Sequence, residues 1–208
     1  DLVHGGAVFP SNTVNLAYIA QREIAAGGKA SIADRAASLI PDGASLILNI
    51  GTTVDQVAHA LVRHNDLMVI TNNLNVATTL YDAPGIEVVI SGGMVRKADG
   101  GVVGEAAIDL IRQFKVDYAV VGTSAVDTEG TLLDFDYREV RVAKAILEQA
   151  RSKILVADTT KFERRAPVQI GHLSDIDIFV TDARPPEEIV DICAEAGVDL
   201  IITDEENG

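Results

Sequence analysis

The sequence predicts an α/β fold, a mainly parallel sheet sandwiched by helices, from two kinds of pattern. Seven short apolar runs, many of them β-branched, fall at 45–50, 67–71, 86–90, 117–122, 153–157, 177–181 and 199–203. They are nearly continuous rather than alternating, which suits strands buried on both faces. Between them lie segments of helical spacing near 53–63, 73–81, 104–113, 137–150 and 186–196. Such alternation gives a sandwich whose ligand site lies beyond the carboxyl ends of the strands.

Composition narrows the class. With 208 residues and 48% hydrophobic content the chain can bury one sizeable core. No run approaches the ~18 apolar residues of a membrane span, and Asp1 to Gly6 lack the regions of a signal peptide, so the cytoplasm is expected. A net charge of −14 repels phosphate backbones, so these residues make a poor nucleic-acid surface by themselves. The single cysteine, Cys193, can form neither an internal disulfide nor a cysteine-rich metal site and is expected to pack as a small apolar side chain. No metal and no cofactor are expected.

Taken in order, residues 1–14 hold Gly5-Gly6 and Pro10 with little periodicity and read as a connector. Residues 15–40 carry Leu16, Ile19, Ala20 and Ile24, then Ile32, Ala36, Leu39 and Ile40, at helical spacing. Gly27-Gly28 is expected to break that run in two, and Pro41-Asp42-Gly43 ends the second helix. The first apolar run leads at once into Gly51-Thr52-Thr53 and an amphipathic segment, which predicts strand, turn and helix start. Unpaired N–H groups and the helix dipole there would stabilise an anion, with the threonine hydroxyls as further donors. The same triplet is also an ordinary turn with a threonine N-cap, and both readings stand.

The next strand ends are polar too. Thr71-Asn72-Asn73 follows the second run and Ser91-Gly92-Gly93 the third, as a phosphate and polyol pocket would require. The loop Arg96-Lys97-Ala98-Asp99-Gly100-Gly101 supplies cations beside them, as a solvated hairpin or as a lid. Asp136 and Glu139 have capping-box spacing ahead of a helix whose buried stripe is Val140, Ala143, Ile146, Leu147 and Ala150. Lys161, beside Thr159-Thr160 at a strand end, can be a surface residue or a point charge facing a phosphate.

These segments carry a resemblance over nearly the whole chain. NIGTT at 49–53, VITNNLNVA at 69–77, SGGMVRKADGGVVGEA at 91–106, LLDFDYREVR at 132–141 and VADTTKF at 156–162 stand in the order and spacing of one family. The sequence resembles the effector-binding part of DeoR-family transcriptional regulators. Residues 135–141 and the Asp99-Gly100-Gly101 loop are most similar to the branch that represses the glycerol-3-phosphate regulon.

The resemblance implies a fold related to ribose-5-phosphate isomerase, glucosamine-6-phosphate deaminase and CoA transferases, used to sense a phosphorylated metabolite without catalysis. It implies that residues 1–14 are the remnant of a winged-helix wing and linker, with 15–208 the sensor. Operator DNA would be bound through a winged helix-turn-helix absent from this chain, by a homo-oligomer, dimer or tetramer. Gly51, Thr52 and Thr53 are implied to bind the ligand's phosphate, with Asn72, Asn73 and the Gly92-Gly93 turn lining the pocket and Lys161 as the cation facing the phosphate. Asn49, Asp99, Gly100, Gly101, Glu105, Asp136 and Glu139 are implied as contacts to ligand hydroxyls or as loop structure. Asn49 stands where the family commonly has Asp, and Thr160 where Ser is frequent. The implied inducer is sn-glycerol 3-phosphate; the alternatives are a sensor of another sugar phosphate and a sugar-phosphate isomerase or deaminase on the same fold.

Overall fold

Strand β1 (Ser45–Leu48) shows why the apolar runs are continuous. Leu46 and Leu48 enter one core cluster and Ile47 the other, so every side chain past Ser45 is buried. The computed structural model describes residues 26–204, and the expected connector at 1–14 and the helix beginning near residue 15 lie outside them.

Seven strands form one parallel sheet in the order β12-β11-β9-β6-β1-β2-β3. They are β1, β2 (Leu67–Thr71), β3 (Ile86–Ile90), β6 (Val116–Val121), β9 (Ala150–Val156), β11 (Ile178–Thr181) and β12 (Asp199–Ile202). All seven expected strands are present. Helices α1 (Ala26–Ser38), α2 (Thr52–Leu61) and α3 (Leu74–Leu80) cover one face. Helices α4 (Glu105–Ile111), α5 (Tyr137–Gln149) and α6 (Glu187–Ala196) cover the other. The chain therefore winds outward from β1 in one direction through β2 and β3, and from β6 in the other. Between β1 and β6 the winding reverses, and the crevice opened there is where a doubly wound sheet binds its ligand.

The stripe expected on α5 is buried, and so are Val142 and Ala145, because the helix meets two surfaces. One is the main sheet. The other is a small antiparallel sheet, β10-β8-β7, made of β7 (Ala125–Val126), β8 (Thr131–Asp134) and β10 (Val168–His172). Burying each large apolar side chain of this kind contributes ~1.5–3 kcal/mol. Cys193 is buried in the same cluster.

Some local expectations need correction. Gly27 and Gly28 lie in the first turn of α1, and the helical run expected before them lies outside the described residues. Asn49 and Ile50 lie past the end of β1, where the backbone turns toward α2. Residues 131–134, outside the seven expected strands, pair as β8.

Gly92-Gly93 leads from β3 into a hairpin of β4 (Met94–Val95) and β5 (Val102–Val103). Gly93 has φ +142°, and a Cβ there would lie 2.7 Å from the Val103 carbonyl oxygen. Backbone inside a paired strand cannot swing aside. Gly92 has open space at the same position. Gly93→Ala should therefore cost on the order of 1–3 kcal/mol. Gly92→Ala should leave the urea midpoint close to the parent's, and equal midpoints for the two variants would show that the hairpin tolerates a side chain at 93.

Candidate functional site

A cavity of about 580 Å³ opens at the reversal point. Its floor is made by strand ends: Ile50 to Thr53 after β1, Gly122 to Ser124 after β6, and Val156 at the end of β9. Its walls are Arg96, Ala98 and Asp99 from the hairpin, Asp134 to Glu139 from the β8–α5 junction, and Lys161.

The anion end is built from backbone. Gly51 is the N-cap residue of α2, at φ 144°, and no side chain caps that helix. The threonine-cap reading is thus excluded, and Gly51, Thr52 and Thr53 line the cavity at the uncapped start of that helix. Thr52 and Thr53 are 7% and 5% exposed, and neither hydroxyl has a partner among the described residues. Lys161 sits in a short 3-10 helix, Thr159–Glu163, capped by Asp158, whose carboxylate accepts from the Thr160 N–H at 3.1 Å and from the Thr160 hydroxyl. Only 6% of Lys161 is exposed, and no described carboxylate closes an ion pair with its ammonium. Burial, opposed by the charge of Asp158, pushes its pKa down to about 8. A buried ammonium without an ion pair is costly unless an anion joins it.

The hairpin and the β8–α5 junction bring acids to the cavity. Arg96 pairs with Asp99, with Asp136 at 3.2 Å and with Glu139 at 2.6 Å, fastening the hairpin to the start of α5. Burial disfavours its charge, but hydrogen bonds to Asp99 and the charge of Glu139 prevail, so its pKa stands above the ordinary arginine value. Asp136 caps α5 by accepting from the Arg138 N–H at 2.9 Å, and the Arg138 side chain holds its carboxyl below the usual range. The expected capping box is only half formed, because Glu139 turns to Arg96 rather than back to the cap. Burial and then the charge of Asp134 raise the Glu139 pKa against the pull of Arg96. Burial likewise raises that of Asp134, against a hydrogen bond at 2.7 Å from the Phe135 N–H.

The structure brings together Gly51, Thr52, Thr53, Asp99, Asp136, Glu139 and Lys161 around this cavity. Other expected residues lie behind its wall. Asn73 caps α3 and donates to Asp55 at 2.7 Å, while Asn72 donates to the Val102 carbonyl at 3.3 Å. Gly100 and Gly101 accept backbone bonds from Leu74 and Arg96. These contacts tie the hairpin to the end of β2. Asn49 is buried with its Oδ1 unpartnered, Gly92 and Gly93 enter the hairpin, and Glu105 pairs at the surface with Arg141 at 2.5 Å. None of these eight residues lines the cavity.

Sequence reasoning missed Gly122-Thr123-Ser124 and Asp134. The signal for the first was present: Val121-Gly122-Thr123-Ser124 repeats, one strand over, the pattern of Ile50-Gly51-Thr52-Thr53. Thr123 is spent on structure, donating to the carbonyls of Ala125 and Leu133. Among the described residues no cluster of His, Cys, Asp and Glu has metal-binding geometry, and no helix is long and apolar enough to cross a membrane.

Comparison with known proteins bears on this geometry. Residues 24–183 match the DeoR C terminal sensor domain. The chain is 42% identical over 197 residues to the glycerol-3-phosphate regulon repressor of Escherichia coli (strain K12), covering 95% of this chain and 78% of that protein. Among solved structures it is similar to eIF2B delta from Chaetomium thermophilum, with a TM-score of 0.56 and 17% identity over 79% of this chain and 58% of that one. A ribose 5-phosphate isomerase from Plasmodium falciparum matches with a TM-score of 0.47 and 15% identity over 64% of this chain and 52% of that one.

The lowered pKa of Lys161 sets a pH dependence for anion binding. The empty site loses the lysine proton near pH 8, whereas a bound anion raises that pKa. Affinity for a phosphate ester should therefore be fullest below that pH and fall above it, roughly tenfold from about pH 7.5 to about pH 9.5. The phosphate's own second ionisation, with a pKa of about 6, is nearly complete by then. Calorimetry on the parent and on Lys161→Met checks this, with a flat profile expected for the variant; a parent profile as flat would remove Lys161 from the anion site.

Proposed function

The chain belongs to the DeoR C-terminal sensor domain family, and we propose that it senses a phosphorylated metabolite, sn-glycerol 3-phosphate, on behalf of a DNA-binding repressor. The observation that carries this reading is the buried Lys161 ammonium, without an ion pair, in the same cavity as the uncapped start of α2 and two unengaged hydroxyls. Helix N-terminus, hydroxyl donors and a desolvated cation together make an anion site. The name of the Escherichia coli relative, glycerol-3-phosphate regulon repressor, supports the choice of ester.

Binding here requires no reaction. Glycerol 3-phosphate has neither a carbonyl nor an acidic C–H, so the carboxyl groups of Asp134 and Glu139 have no proton to abstract from it. In the intact repressor, a winged helix-turn-helix outside this chain reads the operator in the cytoplasm as a dimer or tetramer. The ligand acts by preferring a sensor arrangement in which the reading heads lose their spacing.

The direct test is thermal. Ligand at a hundred times its dissociation constant stabilises the native state by ~2.7 kcal/mol. A domain of this size shifts roughly 2–4 °C per kcal/mol, so sn-glycerol 3-phosphate should raise the melting temperature by about 5–10 °C. Glycerol should leave it unchanged. A larger shift with fructose 1-phosphate or glucosamine 6-phosphate at matched concentration would move the ligand to a larger sugar phosphate, and equal shifts with glycerol and its phosphate would defeat the anion site.

A further inference from the structure

The first N–H groups of the 3-10 helix that carries Lys161 are held in two different ways. Those of Thr160 and Lys161 bond within the turn, to the carboxylate and the carbonyl of Asp158, each at 3.1 Å. These local bonds shape the turn. That of Thr159 reaches instead to the residue after β11, where the Asp182 Oδ1 accepts it at 2.8 Å. A bond from a neighbouring strand end fixes where the turn sits. Asp182 is itself anchored, since its carbonyl accepts from the Asp204 N–H at 3.0 Å. Helix α1 closes over the same side chain: a Cβ on Gly28 would stand 2.9 Å from the Asp182 Oδ2 and 3.1 Å from its Cβ. Three residues on, the Ser31 hydroxyl meets that of Thr203 at 2.8 Å, and Ile32, Ala33 and Ala36 share a core cluster with Val156 and Val180. The seat of α1 and the placement of Lys161 therefore meet at one carboxylate, which lies outside the cavity lining.

We propose that Asp182 is a positioning residue for the anion site, holding Lys161 in place through Thr159, and that its contact with Gly28 links the seating of α1 to ligand affinity. The proposal rests on the anion-site reading of Gly51 to Thr53 and Lys161. Attraction between an ammonium and an anion falls with distance and is strong only where water is scarce, so a turn that loses its outside anchor loses affinity without losing any group that touches the ligand. Coupling of this kind is reciprocal: if displacing α1 weakens the ligand, bound ligand firms the seat of α1. In the repressor reading the winged helix precedes α1 in the chain, so the ligand would steady the first described helix that follows the reading head.

Calorimetry with sn-glycerol 3-phosphate on three variants tests this. Burial lowers the Lys161 pKa, Asp158 and Asp134 oppose that, and Arg164 and Lys29 reinforce it, so affinity falls above about pH 8 only while Lys161 faces the anion. Asp182→Ala should bind roughly tenfold more weakly at about pH 7.5 and lose most of the further fall toward about pH 9.5. Asp182→Asn keeps an oxygen acceptor for the Thr159 N–H and should stay within about threefold of the parent, with the parent's pH profile. Gly28→Ala leaves every cavity-lining residue in place and should still weaken the ligand by at least about threefold. Far-ultraviolet circular dichroism verifies each fold, and if Asp182→Ala does not fold, Gly28→Ala and Asp182→Asn carry the test. Asp182→Ala with the parent's affinity, or with weaker binding but the parent's pH profile, overturns the positioning role and leaves the anion site standing. Parent affinity in Gly28→Ala overturns the link to α1. If neither inorganic phosphate nor the ester binds the parent, the anion-site reading falls and the role of Asp182 falls with it.

Discussion

A parallel sheet covered by helices on both faces leaves polar chemistry one place to gather, the carboxyl edge. In this chain β1 and β6 are buried over the residues that lead to their carboxyl ends, and the polar residues begin within a residue or two beyond. Reversal of the winding between them separates the helices that follow, so the edge becomes a cavity rather than a packed seam. The site is a consequence of the topology. Its chemistry comes from the few residues that the turns deliver there.

Charge organises those residues into two groups. In one, the first turn of α2 and Lys161 present donors and a desolvated cation. In the other, Arg96 gathers Asp99, Asp136 and Glu139, and so joins two separate segments of chain, the hairpin and the β8–α5 junction. Buried pairs of this kind are weak evidence for stability, because desolvating them offsets much of their attraction. Here they fix where the hairpin sits. The amide groups of Asn72, Asn73 and Asn75 do the same from behind, joining β2, α3 and the hairpin loop.

The seven-stranded sheet was legible in the sequence because strands such as β1 and β2 are apolar on both faces, as Leu46 and Leu48 set against Ile47 illustrate. The small strands were not. Met94–Val95 and Val102–Val103 are two residues each, too short for any period, and Val168–His172 buries only Ile170 deeply. Among site residues, Gly51, Thr52, Thr53 and Lys161 were legible from their place after strands. Asn72 and Asn73 show the limit of that argument, since a polar strand end can serve the ligand or serve the neighbouring loop, and only side-chain direction separates the two. Asp134 was hidden in a segment assigned to neither helix nor strand, where an acid is usually solvated. Its burial follows from β8 pairing with β7 and β10, which a four-residue strand does not announce.

The account stands on the start of α2 as the place where an anion is held. The most direct measurement is a titration with sn-glycerol 3-phosphate followed on the backbone amide resonances. The largest saturable shifts should fall on Thr52, Thr53 and Val54, the first N–H groups of that helix, with inorganic phosphate moving the same three resonances more weakly. Saturable binding that leaves those amides unmoved, with its shifts confined to the opposite edge of the sheet, would contradict the account.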